Sequence, residues 1–190
     1  MMKEKDIKGR LQLTLLALVF FGPLILATWL YFSGAGLQPD GRTNHGELLE
    51  PIIALPEALP ESALLDHVDG RWLLVYVNGG ACDDACKQAL YTLRQSRLML
   101  GQDMDRMARI FLRAESAPDT VILGDKYSGT ITLVDDELIA LLQAKAPAGE
   151  AGGYYLVDPL GNLVMYFAPE LDPAAMVKDI EHLLELSRIG

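Results

Sequence analysis

Cys82 and Cys86 are the only cysteines in the 190 residues, and they stand in the run NGGACDDACK, residues 78–87. If this run opens a helix, i, i+4 spacing puts both side chains on one face, one turn apart. Two thiolates so placed could hold a soft ion such as Cu(I). They could also cycle between dithiol and disulfide, provided Cys82 leaves helical geometry and lets the two Cβ atoms approach to about 4.5 Å. A purely structural disulfide is a third reading, although so short a loop gains little chain entropy. Inert thiols are the fourth. At a helix start the macrodipole and free N–H groups favour a thiolate. The carboxylates of Asp83 and Asp84 oppose it, while stabilising the helix start itself.

Few other residues suggest chemistry. Of the three histidines, His45 falls in a Pro/Gly-containing stretch, His67 precedes the first core strand and His182 lies in the last helix. A lone histidine is more often a surface or capping residue than a ligand, and His67 is the best placed of the three, because it could fold near that strand's end. Met99, Met104 and Met107 cluster after the cysteine helix. A thioether suits Cu(I), but core filling is the ordinary use of methionine. Asp135-Asp136-Glu137 reads as a helix start and not as an acid pair. The chain has no Gly-rich phosphate loop, H-E-x-x-H or G-x-S-x-G.

The cysteines must be positioned by the elements around them. Residues 71–78 (RWLLVYVN) are a short apolar, β-rich run and read as a buried strand. Gly79 and Gly80 allow a tight turn after it. Residues 83–100 read as a helix, marked by Ala85, Ala89, Leu90, Leu93 and Leu100 and ended by Gly101. Residues 107–113 (MARIFLR) fit a second strand, 130–134 a short extended piece, and 135–145 a helix capped by Asp135. Residues 153–157 and 162–167, joined by Asp158-Pro159-Leu160-Gly161, read as an antiparallel hairpin. Asp172-Pro173 is a strong start signal for a last helix running to about Arg188. This order, a parallel βαβ half followed by a hairpin and a covering helix, predicts an α/β fold of thioredoxin-like type, a mixed sheet flanked by helices.

Ahead of that domain the chain changes character. From Leu11 to Phe32 there are 22 residues without a charge. As a helix they would span roughly 33 Å, close to the hydrocarbon thickness of a bilayer. A signal-peptide core of about 7–15 residues is much shorter, although Ser33 to Gly36 supply small residues. Pro23 is tolerable in such a helix, and Trp29 and Tyr31 suit its interface. Residues 1–32 carry four cations against two carboxylates, +2, so the rest of a −10 chain carries −12. The positive-inside bias then assigns residues 1–10 to the cytoplasm, 11–32 to a transmembrane anchor, 33–62 to a tether broken by Gly and Pro, and 63–190 to a domain on the outer, periplasmic face of the inner membrane. An acidic domain repels phosphate backbones, which excludes nucleic acid as the expected partner. An oxidising compartment favours an oxidised resting pair.

In RWLLVYVNGGACDDAC and YYLVDPLGNLVMYF the chain resembles the Sco/SenC family of cytochrome c oxidase assembly proteins. That resemblance spans roughly residues 64–188 and implies a thioredoxin-like domain on a single anchor, with C-x-x-x-C after the first core strand. It implies copper delivery to the oxidase's binuclear copper centre through Cys82 and Cys86 as Cu(I) ligands, or thiol reduction of that centre's cysteines by the same redox pair. The expected partner is a respiratory oxidase subunit or another assembly factor. Two departures stand out. The family's prolines after each cysteine are replaced by Asp83 and Lys87, and its distal copper-ligand histidine would fall near Glu150, where the sequence is PAGEAGGYY. The other expectations are a non-catalytic scaffold of the same machinery and a general periplasmic thiol reductase.

Overall fold

The computed structural model describes residues 2–32, 44–116, 127–147 and 152–187. It comprises two units, Met1–Thr43 and Asn44–Gly190. Ser33 to Gly36, Pro39, Gly41 and Glu150 lie outside the described residues.

The first unit contains α1 (Met2–Phe32), with Pro23 inside it. Large apolar side chains between Leu13 and Phe32 are exposed on every side of the helix. A helix apolar all round needs a hydrocarbon environment. Its polar groups fit the same environment, since the hydroxyls of Thr14 and Thr28 donate to the carbonyls of Arg10 and Leu24 at 2.9 and 2.7 Å. Gln12–Leu30 is long and apolar enough to cross a membrane.

The second unit is one six-stranded sheet in the order β1-β6-β5-β2-β3-β4. Its strands are β1 (Glu47–Ala54), β2 (Trp72–Asn78), β3 (Met107–Arg113), β4 (Thr130–Val134), β5 (Gly153–Val157) and β6 (Asn162–Phe167). The helices are the single turn α2 (Leu55–Ala58), α3 (Asp84–Met99), α4 (Asp136–Lys145) and α5 (Pro173–Leu186). β2, β3 and β4 are mutually parallel, and β5 runs antiparallel to both β2 and β6. The thioredoxin-like mixed sheet expected from the element order is therefore present.

The period-2 alternation of the central strands explains the layering. Trp72, Leu74 and Tyr76 of β2, with Phe111 of β3 and Tyr154 of β5, pack on one face under α3 and α5. Leu73, Val75 and Val77, with Ile110 and Tyr155, pack on the other under α4. Central strands buried on both faces read as near-continuous apolar runs, which is why β2 and β3 were legible. Each large aliphatic side chain so buried contributes about 1.5–3 kcal/mol. Three aspartates start the helices: Asp83, Asp135 and Asp172 accept from Cys86 N, Leu138 N and Ala174 N. At the far end of α5, Arg106 Nη1 and Nη2 donate to the carbonyls of Leu184 and Ser187 at 3.2 and 3.0 Å, a cation where the dipole favours one.

One expectation is corrected. Part of the stretch 33–62 expected as a tether belongs to the sheet, because β1 lies within it and pairs antiparallel with β6 at the sheet edge. Pro51 had argued against a strand, and an edge strand interrupted by a register shift between Leu48 and Ile53 is where a proline is tolerated. The entry into β1 is held by α5. The buried carboxylate of Asp179 accepts from His45 N at 2.6 Å, from Gly46 N at 2.7 Å and from His45 Nδ1 at 3.0 Å.

Candidate functional site

The cysteine site begins where β2 runs out. Asn78 Oδ1 accepts from Gly80 N at 3.3 Å, turning the chain out of the strand. Asp83 is extended and caps α3, its Oδ1 taking the Cys86 N–H at 3.0 Å. The cap decides the cysteine geometry. Cys82 precedes it and lies outside the helix, while Cys86 is the third residue within it. The two Cα atoms are 5.0 Å apart, and the sulfurs are joined in a disulfide. Cys82 is half-buried and Cys86 buried, packed among Tyr76, Ala89 and Leu90 in the core under α3.

The surroundings of the pair are acidic, with partial compensation. Asp84 and Lys87 pair at 2.9 Å, and each stabilises the charged form of the other: the Asp84 carboxyl is lowered and the Lys87 ammonium raised. Tyr76, beneath the helix start, is pushed up to about 12, first by burial and then by the charge of Asp83. Its ring lies 5.4 Å from that of Tyr154, whose hydroxyl donates to Ala89 O at 3.2 Å. Burial raises Tyr154 as well, with smaller upward contributions from Tyr76 and Glu170 and a downward one from Thr92.

A cleft of about 550 Å³ opens on the β5 side of the helix start. Tyr76, Tyr154, Gly79, Gly153, Gln88 and Glu170 are among its lining residues. Gly153, at φ +119°, has no room for a side chain, because a Cβ there would lie 2.6 Å from the Tyr166 ring and 2.8 Å from Phe167 O. The backbone therefore forms that wall. Sequence reasoning did not find this cleft, because Tyr76, Tyr154 and Glu170 are brought together only by the pairing of β5 with β2 and β6.

The other candidates fall away from the pair. His67 lies in a 3-10 turn, Leu65–His67, before Trp72. The cysteines follow Asn78, so the length of a seven-residue strand, roughly 23 Å at about 3.3 Å per residue, stands between them. The expectation that His67 could fold near the cysteine end is thus overturned. His45 is engaged by Asp179, and His182 is exposed on α5. Met107 is buried in the core, Met104 packs against it and Met99 is exposed. Asp135 acts as a helix cap, with Ser62 Oγ donating to its other oxygen at 2.8 Å. Among the described residues, no group of three His, Cys, Asp or Glu side chains is placed to hold a metal ion.

One buried group had no sequence signal. Arg109 in β3 is 5% exposed, and its Nε and Nη1 have no hydrogen-bond partner among the described residues. Nη2 donates to Ser128 O at 2.6 Å. Desolvation lowers its pKa, with the charges of Arg97 and Arg94 adding to the effect.

Fold and site together define a thioredoxin-like domain whose one cysteine pair closes a disulfide at the start of the helix after the central strand, in a chain that also carries a membrane-spanning type of helix. Residues 72–187 match the family model described as transmembrane-like, thioredoxin-like, C-terminal domain, and residues 4–34 match the transmembrane-like N-terminal domain. The chain belongs to this transmembrane-like, thioredoxin-like family, and the two matches support a single-pass membrane protein. Similar solved structures include copper-bound ScoI of Arabidopsis thaliana, at 13% identity and TM-score 0.49, covering 65% of this chain and 89% of that one. Copper-bound Sco1 of yeast is 18% identical at TM-score 0.49, covering 64% and 80%. The thioredoxin domain of a thiol-disulfide oxidoreductase from Bacteroides vulgatus is 20% identical at TM-score 0.45, covering 63% and 83%. No curated protein matches the chain.

Proposed function

We propose that this protein is a membrane-anchored, Sco-like thiol-disulfide exchange factor that serves the assembly of a respiratory cytochrome oxidase. The observation that carries the reading is the asymmetry of the pair: Cys82 is half-buried ahead of the helix, Cys86 is buried within it, and the two are bonded. In the reduced protein, the Cys82 thiolate attacks a partner disulfide. One partner sulfur leaves as thiolate and a mixed disulfide forms. The Cys86 thiolate then attacks the Cys82 sulfur and expels the second partner thiolate. The partner gains two electrons and two protons, and the Cys82–Cys86 disulfide is restored. An external dithiol reductant must regenerate the protein. Cys82 is the attacking and Cys86 the resolving residue.

The same reading assigns residues 1–10 to the cytoplasm, 11–32 to the bilayer of the inner membrane and the globular domain to the periplasmic side, where thiol pairs are oxidised and oxidase subunits expose metal sites. The proposed tether after residue 32 ends before β1, which is part of the sheet. Copper is the second reading. The reduced pair would offer two soft thiolates, which suit Cu(I). No third His, Cys, Asp or Glu joins them among the described residues, and the sequence has no histidine near Glu150, where the family's distal ligand would fall. The donors among the described residues do not complete a three-ligand site.

The test is replacement of both cysteines by serine in the full chain, followed by measurement of oxidase assembly and of the redox state of the oxidase's copper-site cysteines. Loss of assembly with those cysteines trapped as disulfide is the expected result. Normal assembly would instead favour a scaffold that needs neither thiol. A general thiol reductase would reduce unrelated disulfide proteins at comparable rates.

A further inference from the structure

Exchange at Cys82 leaves the adjoining cleft without a use. Its volume of about 550 Å³ lies within the range of about 300–1,000 Å³ usual for ligand sites. The two tyrosines give it an apolar base, and Gly79 and Gly153 bring bare backbone to its wall. Among the described residues that line it, Glu170 alone carries a charge. Glu170 is exposed and lines the cleft, Asp172 follows at the α5 cap, and Asp83 caps α3 on the disulfide side. The nearby cation, Lys87, is already engaged by Asp84 at 2.9 Å. Asp83 opposes ionisation of Tyr76, and Glu170 that of Tyr154, whose ring lies tilted 5.4 Å away. Both carboxylates thus act on one apolar floor, from the disulfide side and from the α5 side.

We propose that the cleft receives a basic segment of the partner protein, one with Lys or Arg beside its reacting cysteine, and that Glu170 is the residue that selects it. This rests on the exchange reading above and adds the class of substrate. The basic side chain lays its stem along the cleft wall and its charge against Glu170. A charge at the rim acts chiefly on encounter and orientation, so the preference is for rate and is screened by salt.

The test uses the full chain, reduced in detergent, and three synthetic peptides that differ only in flanking their single cysteine with Lys, Ser or Glu. Each peptide is supplied as the mixed disulfide with 5-thio-2-nitrobenzoate. The Cys82 thiolate attacks the peptide sulfur, the coloured thiolate leaves, and Cys86 then releases the peptide as thiol while the Cys82–Cys86 disulfide forms. At low salt the Lys peptide is expected to react about fivefold faster than the Glu peptide, after division by each peptide's rate with dithiothreitol. Glu170→Gln should reduce the ratio toward one, Glu170→Lys should invert it, and 0.5 M salt should flatten it. Equal rates for the three peptides in the native protein, or a ratio unchanged in both variants, would overturn the selectivity while leaving exchange in place. Failure of the reduced protein to react with any peptide faster than a monothiol would overturn exchange and selectivity together.

Discussion

The most exacting test of the fold's entry concerns Asp179. Its carboxylate is 6% exposed, so its oxygens depend on protein donors in place of water. Oδ2 takes the N–H groups of His45 and Gly46 at 2.6 and 2.7 Å, and Oδ1 meets His45 Nδ1 at 3.0 Å. Hydrogen bonds to a charged group contribute about 1.5–3 kcal/mol each, and a buried donor left unpaired costs about 1–3 kcal/mol. Gly46 N is the buried one of the two, at a residue where an added Cβ would overlap the Phe167 ring and the Met165 sulfur, so this backbone cannot shift to find water. Asp179→Ala therefore should cost about 3–5 kcal/mol. Asp179→Asn keeps one oxygen for the two N–H groups and can turn its amide toward a neutral imidazole, so it should cost only about 1–2 kcal/mol. For a domain of this size the alanine variant should lose about 10–15 °C in Tm, at about 2–4 °C per kcal/mol. The assay is thermal unfolding of the detergent-solubilised chain by intrinsic fluorescence, with hydrogen exchange at the His45 and Gly46 amides. An alanine variant within about 1 kcal/mol of the native protein, or one that keeps both amides protected, refutes the account.

Three further outcomes follow from buried groups. Tyr76 and Tyr155 are each raised from 10.0 to about 12, so stability from their protonated forms is complete below pH 10 and lost as pH rises toward 12. The unfolding free energy from denaturant titration should fall by about 1.4 kcal/mol per pH unit per tyrosine in that window, and a flat profile would refute the burial of the phenols. Gly153→Ala combines φ +119° with contact against backbone and ring, and should cost about 3 kcal/mol or more in urea unfolding; a native-like midpoint would show that the β5 entry relaxes. Arg109→Met exchanges a buried guanidinium with two unpaired nitrogens for an apolar chain of similar length, and should leave stability unchanged or raise it by about 1–4 kcal/mol. A loss of about 3 kcal/mol, the signature of a broken buried ion pair, would refute that description.

Most of the sheet could be read before the structure because its signals are local. The limits read for residues 107–113, 130–134, 153–157 and 162–167 are those of the strands, and Asp135 and Asp172 mark the starts of two of the three long helices of the domain. The first strand could not be read. In ELLEPIIA a proline and two carboxylates mimic a tether, and what makes it a strand is the backbone of β6 alongside it, which no local pattern contains. His67 was misplaced for a related reason: proximity in sequence to a strand says nothing about which end of it a side chain reaches. Asp179 and Arg109 sit in runs that look like ordinary helix and strand, and only packing shows that one carboxylate holds three donors while two nitrogens of one guanidinium have no partner among the described residues.

The cysteine pair shows how much one residue of context decides. Spacing alone left Cys82 and Cys86 free to be two helical thiols or a bonded pair. Asp83 resolves the ambiguity, because an aspartate that caps a helix through the N–H three residues on must itself be extended, and so must release the residue before it. The same carboxylate that ends the helical register places Cys82 outside the helix and puts a negative charge beside the sulfur that would have to become a thiolate. The two effects compete: the cap builds the disulfide geometry, and the charge disfavours its reduced, ionised form. A protein made to hold a stable thiolate would avoid that charge. One made to return quickly to the disulfide after a single exchange would not, because a thiolate of higher pKa is the stronger nucleophile and the less stable resting state. On the proposed exchange reading, that balance makes Asp83 more than a helix cap.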